Sequence, residues 1–297
     1  MNNTSVLNTY DKKLARRERV RKFLRTMFGR KVVIAAAVML FIFIFIAVFA
    51  SVLTPYDPNI TSPYQAFEAP SSAHWLGCDE FGRDVLTRLF YGARVSLIVG
   101  VLAVIIACVI GVFLGLCAAY FGGVVDVIIM RCSEALMSIP RIMVSIALIV
   151  IIGSSITDLA IILAIPTIPG YIRMIRGQAL SLKNSDYVKA AEMQGANSLY
   201  VMLTQILPNA ISPIIVMMTQ QVGTTILMES GLSYVGIGIK IPIASWGTMI
   251  SNGKNYLITQ PMLAIIPGIC VALLVICLNV LGDGVRDAMD PRLRGEA

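Results

Sequence analysis

Long stretches without a charged residue alternate with short polar segments along this chain. Four of the apolar stretches are each long enough to contain a membrane-spanning helix of about 20 residues. They extend over Val32–Tyr56, Val95–Val125, Met193–Met228 and Asn255–Gly282. Because continuous apolar runs of this length are typical of lipid-embedded helices, the pattern predicts a protein that crosses a bilayer several times.

Two further apolar stretches, Ile142–Thr157 and Leu159–Ile172, are shorter. Each becomes a full span when it borrows a flanking segment. The third helix then begins near Ile128 and runs through Pro140. The count is therefore six transmembrane helices, and the expected fold class is an all-α polytopic membrane protein.

Basic residues determine the expected orientation and regions of the chain. Residues 1–31 contain ten Lys or Arg against two Asp or Glu, whereas residues 54–94 contain three Lys or Arg. The positive-inside rule places the N-terminus in the cytoplasm, and six crossings return the C-terminus there. We expect a basic tail (1–31), a first transmembrane helix (32–53), an extracytoplasmic loop (54–94), a five-helix core (95–284) and a cytoplasmic C-terminal tail (285–297).

Composition supports the same environment. Hydrophobic residues make up 57% of the chain and charged residues 14%, and the mean hydropathy is +0.80. The bilayer is therefore the expected solvent. The net charge of +7 lies mostly in the N-terminal tail, where topology and anionic lipid headgroups explain it, so we expect membrane lipid and no nucleic acid as a partner.

A polar segment over residues 184–209 interrupts the apolar pattern between spans four and five, and we call it the cytoplasmic island. Ser185 and its neighbours offer N-cap oxygens, and Gly195 suits a left-handed C-cap about two turns later. Asn197 or Ser198 can cap a second short helix, which Pro208 is expected to interrupt at the membrane surface. A polar, capped segment of this kind predicts contact with something outside the lipid.

The sequence lacks the residues that several kinds of chemistry need. The single histidine, His74, cannot build a histidine cluster, and no phosphate-binding G-x-x-x-x-G-K-[ST] loop is present. Of the six cysteines only Cys78 lies away from the predicted spans, so neither a metal site nor a disulfide is indicated. We expect no enzyme activity and no cofactor in this chain, and energy must then enter from another subunit.

The island carries a recognisable spacing, Asp186-Tyr-Val-Lys-Ala-Ala followed by Gly195 and then Leu207-Pro208. It resembles the E-A-A-x3-G-x9-I-x-L-P signature of inner-membrane permease subunits of bacterial ATP-driven (ABC) importers. Lys189 stands where that signature has Glu, and Gln205 where it has Ile. The resemblance implies the type I ABC importer permease fold.

More strings, in order and at compatible spacing over about residues 30–294, resemble the C-type permease subunit of oligopeptide and dipeptide importers. Cys78 replaces the Thr that is usual in that pattern. The strings include Tyr56-Asp-Pro58, His74-Trp-Leu-Gly-Cys-Asp-Glu-Phe-Gly-Arg-Asp84, Tyr91-Gly-Ala-Arg-Val-Ser-Leu97, Tyr120-Phe-Gly-Gly123, Ser138-Ile-Pro140, Arg173-x-x-Arg-Gly-Gln178, Leu232-Ser-Tyr-Val-Gly236, Ser245-Trp-Gly247 and Leu281-Gly-Asp-Gly-Val-Arg-Asp-Ala-Met-Asp-Pro-Arg292.

The resemblance implies that the island contains the coupling helix, at about residues 185–207, that sits in a groove of an ATPase subunit. A lipid-surface amphipathic helix is the alternative. Small residues would let the partner approach closely, and the last two positions would anchor the island to span five. The implied coupling residues are Asp186, Tyr187, Lys189, Ala190, Ala191, Gly195, Leu207 and Pro208.

The resemblance also implies the assembly and its location. Partners would be a second homologous permease, two ATP-binding subunits that carry ATP and Mg, and an extracytoplasmic substrate-binding protein, all at the bacterial inner membrane. Di- or oligopeptides are the expected cargo, with nickel chelates, glutathione or another small solute as alternatives. An ion-coupled secondary transporter and a membrane scaffold or sensor are the alternatives from other classes.

Polar residues on the outer side form a second candidate site. Asp79, Arg83 and Asp84 lie in the first loop, and Glu229 and Trp246 flank the glycine-rich segment before the last span. These residues are candidates for an extracytoplasmic gate or a contact with the binding protein. The alternative is a solvated structural loop with local ion pairs, each of which contributes little.

Overall fold

The described part of the chain is helical, apart from turns, loops and one isolated bridge between Cys78 and Asp84. The computed structural model describes Glu18 and residues 21–289. The named helices are α1 (Lys31–Leu53), α2 (Val85–Phe121), α3 (Gly123–Met137), α4 (Arg141–Ile152), α5 (Ile156–Ala164), α6 (Ile168–Leu182), α7 (Asp186–Met193), α8 (Ser198–Tyr200), α9 (Leu207–Tyr234), α10 (Trp246–Gly253) and α11 (Met262–Met289).

Five helical stretches of the described chain are long and apolar enough to cross a membrane. They are α1, α2, the joined α5–α6 unit over Ile156–Leu182, the joined α8–α9 unit over Ser198–Tyr234, and α11. The all-α membrane fold predicted from hydropathy is thus confirmed. The fourth span completes itself by borrowing the polar flank that follows its apolar run, as expected.

The third span differs from the single helix that was expected. Helix α3 begins at Gly123 rather than near Ile128, and α4 continues after a break at an angle of 93°. Pro140 lies at the N-cap of α4 instead of inside a helix. Proline lacks a backbone N–H and disfavours helical geometry in the residue before it, which explains the break. The pair counts as a sixth span only if the two halves are taken together.

Helix α2 begins at Val85, earlier than the apolar run that starts at Val95. Its N-cap is Asp84, whose carboxylate accepts a hydrogen bond from the Thr87 backbone N–H at 2.7 Å. The first turns of α2 carry arginines, so a search for charge-free sequence could not find this start. Part of the segment assigned to the outer loop is therefore helix.

Pro208 does not interrupt the second helix of the island, which corrects that expectation. A π-helical turn over Val201–Ile206 joins α8 directly to α9, and Pro208 lies in the first turn of α9. Proline cannot donate the backbone hydrogen bond of a regular α-helix, and Pro208 lies directly after the π-helical turn, where the regular pattern changes. Asn197 is the N-cap of α8, as predicted, and accepts from the Tyr200 N–H at 2.7 Å.

Small residues let α2 and α6 pack closely at the centre of the protein. A Cβ added at Gly111 would lie 2.9 Å from the Ile168 carbonyl oxygen, and one at Gly115 would lie 2.6 Å from that of Ile172. The buried cluster around this crossing includes Tyr171. The Gly111–Gly115 pair is therefore a helix-packing point.

Candidate functional site

The cytoplasmic island begins with a short helix, α7, whose C-terminal end is closed by backbone hydrogen bonds. Helix α7 ends in a pair of backbone bonds in which Ala196 N–H donates to Ala191 O at 3.1 Å and Gly195 N–H donates to Glu192 O at 2.9 Å. This is the Schellman arrangement, and Gly195 supplies the positive φ of 80° that it needs. A Cβ at Gly195 would meet no atom within 4 Å, so its requirement is for backbone conformation and not for space.

One face of α7 packs onto the protein and the other is open. Val188 is fully buried beneath the helix, and Ala191 packs partly buried against the core. Asp186, Lys189 and Ala190 are exposed. Asp186, Lys189 and Ala190 are therefore accessible on the open face, whereas Ala191 belongs to the packed one.

Exposed apolar side chains lie on α7 and on the next helix, α8. Tyr187 is 40% exposed, and Met193 is 88% exposed at the last position of α7. Leu199 and Tyr200, in α8, are 51% and 53% exposed. Sequence reasoning selected Tyr187 but missed the other three, although a methionine and an aromatic next to a capped polar helix are signals of a docking surface.

Two contacts hold the segment that precedes the island against neighbouring helices. Lys183, between α6 and α7, donates through its ammonium group to the Ala119 and Tyr120 carbonyl oxygens at the end of α2. A cation is favourable there because helix C-termini carry partial negative charge. Arg176 of α6 makes a two-pronged ion pair with Asp126 of α3, with both N–O distances at 2.6 Å. These contacts fix the residue before the island to α2 and hold α6 against α3.

The remaining two coupling candidates lie at the membrane end of the island. Leu207 packs partly buried against the core, and Pro208 is exposed in the first turn of α9. The island is continuous with α9 through the π-helical turn, and the anchoring role of these residues stays a prediction.

On the opposite end of the molecule, Asp79 joins two buried arginines. Its Oδ2 accepts from Arg83 Nε at 2.7 Å and lies 3.4 Å from Arg88 Nε. Its Oδ1 accepts the backbone N–H groups of Phe81 and Arg83. Arg88 also donates to the Pro58 carbonyl at 2.7 Å. These ion pairs are buried rather than solvated, and they include Arg88, which was not selected from the sequence.

Asp84 serves two neighbours at once. It caps α2, and its Oδ1 accepts from His74 Nδ1 at 3.0 Å, with both side chains buried. The Tyr56 ring packs on the His74 imidazole with centroids 4.8 Å apart. Asp79, Arg83 and Asp84 therefore hold the loop together from inside, and none of them is placed on its surface.

Burial and neighbouring charge change the acidity of two groups in this loop. Burial raises the pKa of Glu80, and the adjacent Asp79 carboxylate acts in the same direction. Burial, together with the charges of Glu68, Asp84 and Asp79, raises the pKa of the Cys78 thiol to about 11. Cys78 is therefore a thiol at neutral pH in the protein alone.

Glu229 and Trp246 are also interior residues. The Glu229 carboxyl accepts hydrogen bonds from Ser233 at 2.9 Å and from Ser96 at 3.2 Å and is fully buried. Trp246 donates its indole N–H to the Leu89 carbonyl at 2.9 Å and packs against Phe43. Both residues tie α10 or α9 to α2, and neither is available to a protein arriving from outside.

The fold as a whole is similar to that of a solved chain. It matches a chain of the inward-facing MetNI methionine ABC transporter with a TM-score of 0.55 and 17% identity, over 68% of this chain and 97% of that one. The fold is thus the type I ABC importer permease fold. Together with the five long apolar helices, this fold defines a polytopic membrane protein of permease architecture.

Family models give the particular family. The model described as "Binding-protein-dependent transport system inner membrane component" matches residues 107–295, and that described as "N-terminal TM domain of oligopeptide transport permease C" matches residues 19–70. The chain belongs to the family of binding-protein-dependent transport system inner membrane components, and it is a multi-pass protein of the bacterial inner membrane.

Curated relatives are similar over nearly their whole length. The glutathione transport system permease protein GsiD of Pectobacterium atrosepticum is 38% identical over 275 residues, which cover 92% of this chain and 91% of the relative. The dipeptide transport system permease protein DppC of Alkalihalophilus pseudofirmus is 38% identical over 264 residues, which cover 89% and 87%. The probable D,D-dipeptide transport system permease protein DdpC of Escherichia coli is 36% identical over 268 residues, covering 90% of each chain.

Proposed function

We propose that this chain is the transmembrane permease subunit of an ATP-driven importer of di- or oligopeptides. Two of the three relatives described above are named as dipeptide permeases. Glutathione is the second candidate cargo, because a relative of equal identity is a glutathione permease. The reaction chemistry lies elsewhere: ATP and Mg are bound by partner subunits, and this chain is a non-catalytic conduit.

The observation that carries the proposal is the cytoplasmic island. An exposed face with Tyr187 and Met193 lies above the buried Val188, and Lys183, just before α7, donates to backbone carbonyls at the end of α2. Such a surface suits a groove on an ATP-binding subunit, since rigid attachment passes a partner's movement on to the membrane helices. In this proposal closure of two ATP-binding subunits moves the islands and opens the pathway outward, and ATP hydrolysis resets it.

The remaining partners follow from the same mechanism. A second homologous permease forms the other half of the translocation pathway, and an extracytoplasmic binding protein delivers the solute. Both termini lie in the cytoplasm, with the basic tail beside anionic headgroups. Alternating access then needs no ionisable relay inside this chain, which distinguishes the proposal from an ion-coupled secondary transporter.

Ala190→Trp tests the island directly. Ala190 is exposed on the proposed docking face, so a large ring there should block the partner without disturbing the core. We expect peptide-stimulated ATP hydrolysis and uptake in proteoliposomes of the full complex to fall by about tenfold or more, which corresponds to roughly 1.4 kcal/mol of lost coupling.

Ala69→Trp, at an exposed position of the outer loop, is the matched control and should leave both activities unchanged. Retention of full coupling by Ala190→Trp would mean that the island is not the ATPase contact. Uptake driven by an ion gradient in vesicles that contain this chain without ATP-binding subunits would instead support the secondary-transporter alternative.

A further inference from the structure

Three side chains with metal-binding atoms converge in the loop between α1 and α2. A ring nitrogen of His74, the Sγ of Cys78 and a carboxylate oxygen of Glu68 all lie within 4.8 Å of one another. Imidazole, thiolate and carboxylate are the three ligand types that zinc uses in proteins. The residues are separated by six and four positions in sequence, and the loop fold brings them together.

Backbone hydrogen bonds hold the three residues in place. Cys78 N–H donates to the Glu68 carbonyl at 3.0 Å, which fixes the two loop segments that carry these ligands relative to each other. Gly77 N–H donates to the His74 carbonyl at 2.9 Å and closes the turn between His74 and Cys78. The ligand positions are therefore set by the chain itself, which lowers the ordering cost of binding an ion.

The imidazole is also oriented. His74 donates from Nδ1 to the Asp84 carboxylate at 3.0 Å, which leaves the lone pair on Nε2. A carboxylate on one ring nitrogen is the partner that fixes the tautomer of metal-binding histidines and raises their basicity. The Gln65 amide nitrogen lies 3.4 Å from Nε2, a long contact for a hydrogen bond.

Access and charge favour a cation. His74 and Cys78 are buried, whereas Glu68 is exposed and connects the cluster to solvent. A cation that enters beside Glu68 would meet its carboxylate first and would then displace the Cys78 proton to solvent, so that the thiolate becomes a ligand.

We propose that Glu68, His74 and Cys78 form a binding site for a zinc-type divalent cation on the outer loop. Three protein ligands leave a fourth tetrahedral position for water or another small ligand. The ion would cross-link Glu68 to the turn that leads into α2 and would stabilise the loop whatever solute the protein transports.

The test uses the purified full-length protein in detergent with zinc and cobalt ions as probes. We expect one equivalent of zinc to bind, and cobalt to give the thiolate-to-cobalt charge-transfer band that reports a metal–sulfur bond. Cys78→Ser should abolish the band, and Glu68→Gln should weaken zinc affinity by about tenfold or more. Cys132→Ser, which removes an exposed thiol of α3, is the control and should leave both signals intact.

Absence of the band in the folded wild-type protein would overturn the proposal, as would a band that survives Cys78→Ser. Should Cys78→Ser fail to fold, thermal unfolding of Glu68→Gln supplies an independent measurement. A ligand that binds only the folded state raises the melting temperature, so zinc should stabilise the wild type and not Glu68→Gln. Equal stabilisation of the two proteins would contradict the site.

Discussion

Asp79 illustrates how a single carboxylate organises the outer loop. It neutralises two arginines that are each 2% exposed, and it also accepts two backbone N–H groups. Burying a guanidinium is costly unless a paired charge and hydrogen bonds compensate, so each arginine depends on this carboxylate. The loop structure therefore depends on Asp79 more than on any one apolar contact within it.

Asp79→Asn should destabilise the protein strongly. It leaves two buried arginines with less counter-charge, and breaking a buried pair in this way costs about 3–5 kcal/mol. Thermal or denaturant unfolding of the detergent-solubilised protein measures the change.

The exposed pair Arg131–Glu134 offers the comparison, because its side chains are 79% and 47% exposed. Glu134→Gln should cost only about 0–1 kcal/mol. Similar losses in the two variants would show that burial of the Asp79 pairs contributes nothing.

Residue types in the sequence pointed to many of these side chains but not to their roles. Asp79, Arg83 and Asp84 were found because charges stand out in a short polar loop. Their burial could not be read from spacing, since it depends on the loop folding back onto α2. His74 and Cys78 are four positions apart, a spacing that metal sites use, but no third ligand could be assigned to them from the sequence, and the folded loop brings Glu68 beside them.

At the scale of elements, the crossing of α2 and α6 depends on the absence of side chains at Gly111 and Gly115. Gly115→Val should separate the two helices, because its Cβ would lie 2.6 Å from a backbone oxygen that cannot rotate away. We expect a loss of stability of at least about 1–3 kcal/mol, measured by thermal unfolding.

Gly177→Val is the matched control in α6, where a Cβ would meet no atom within 4 Å. This variant should keep close to wild-type stability. A loss as large as that of Gly115→Val would indicate a propensity effect of valine rather than a clash at the crossing.

Hydrophobic patterning predicted the long helices well and the irregular ones poorly. A stretch without charge marks a helix that faces lipid, which is why α1 was anticipated closely, whereas α11 begins and ends seven residues after its charge-free run. It fails where a helix buries charges against protein, as at the start of α2 near Arg88, and where proline breaks a span, as at Pro140. The π-helical turn before α9 has no sequence marker that the analysis of caps and prolines could use.

For the whole molecule, the orientation in the membrane follows from the basic tail and remains a prediction. Met193→Cys on the island and Trp75→Cys on the outer loop are reporters, since the native side chains are 88% and 72% exposed. In a Cys132→Ser background, a membrane-impermeant maleimide should label Trp75→Cys from the outside. Met193→Cys should react only in inverted vesicles. The reverse pattern would place the island on the outside.

Family resemblance predicted the class of the whole protein more specifically than composition did. Charge-free runs indicate a membrane protein of some kind, and many unrelated transporters share that pattern. The spacing of Asp186, Gly195 and Leu207 carried the importer class, because a capped island between two spans serves no purpose within the lipid. Cargo selectivity has no such local marker in this chain.

The outer cluster of Asp79, Glu80, Arg83 and Arg88 affects the electrostatic attraction between this surface and an approaching protein. Two guanidinium and two carboxylate groups lie together, so their formal charges cancel and the cluster contributes little to the field at long range. Diffusional steering by this cluster is therefore weak, and its influence on association rates should vary little with ionic strength. A protein that binds at this end would instead contact the rings of Tyr64 and Trp75, which are 102% and 72% exposed. Short-range shape complementarity and apolar contact would then govern its binding.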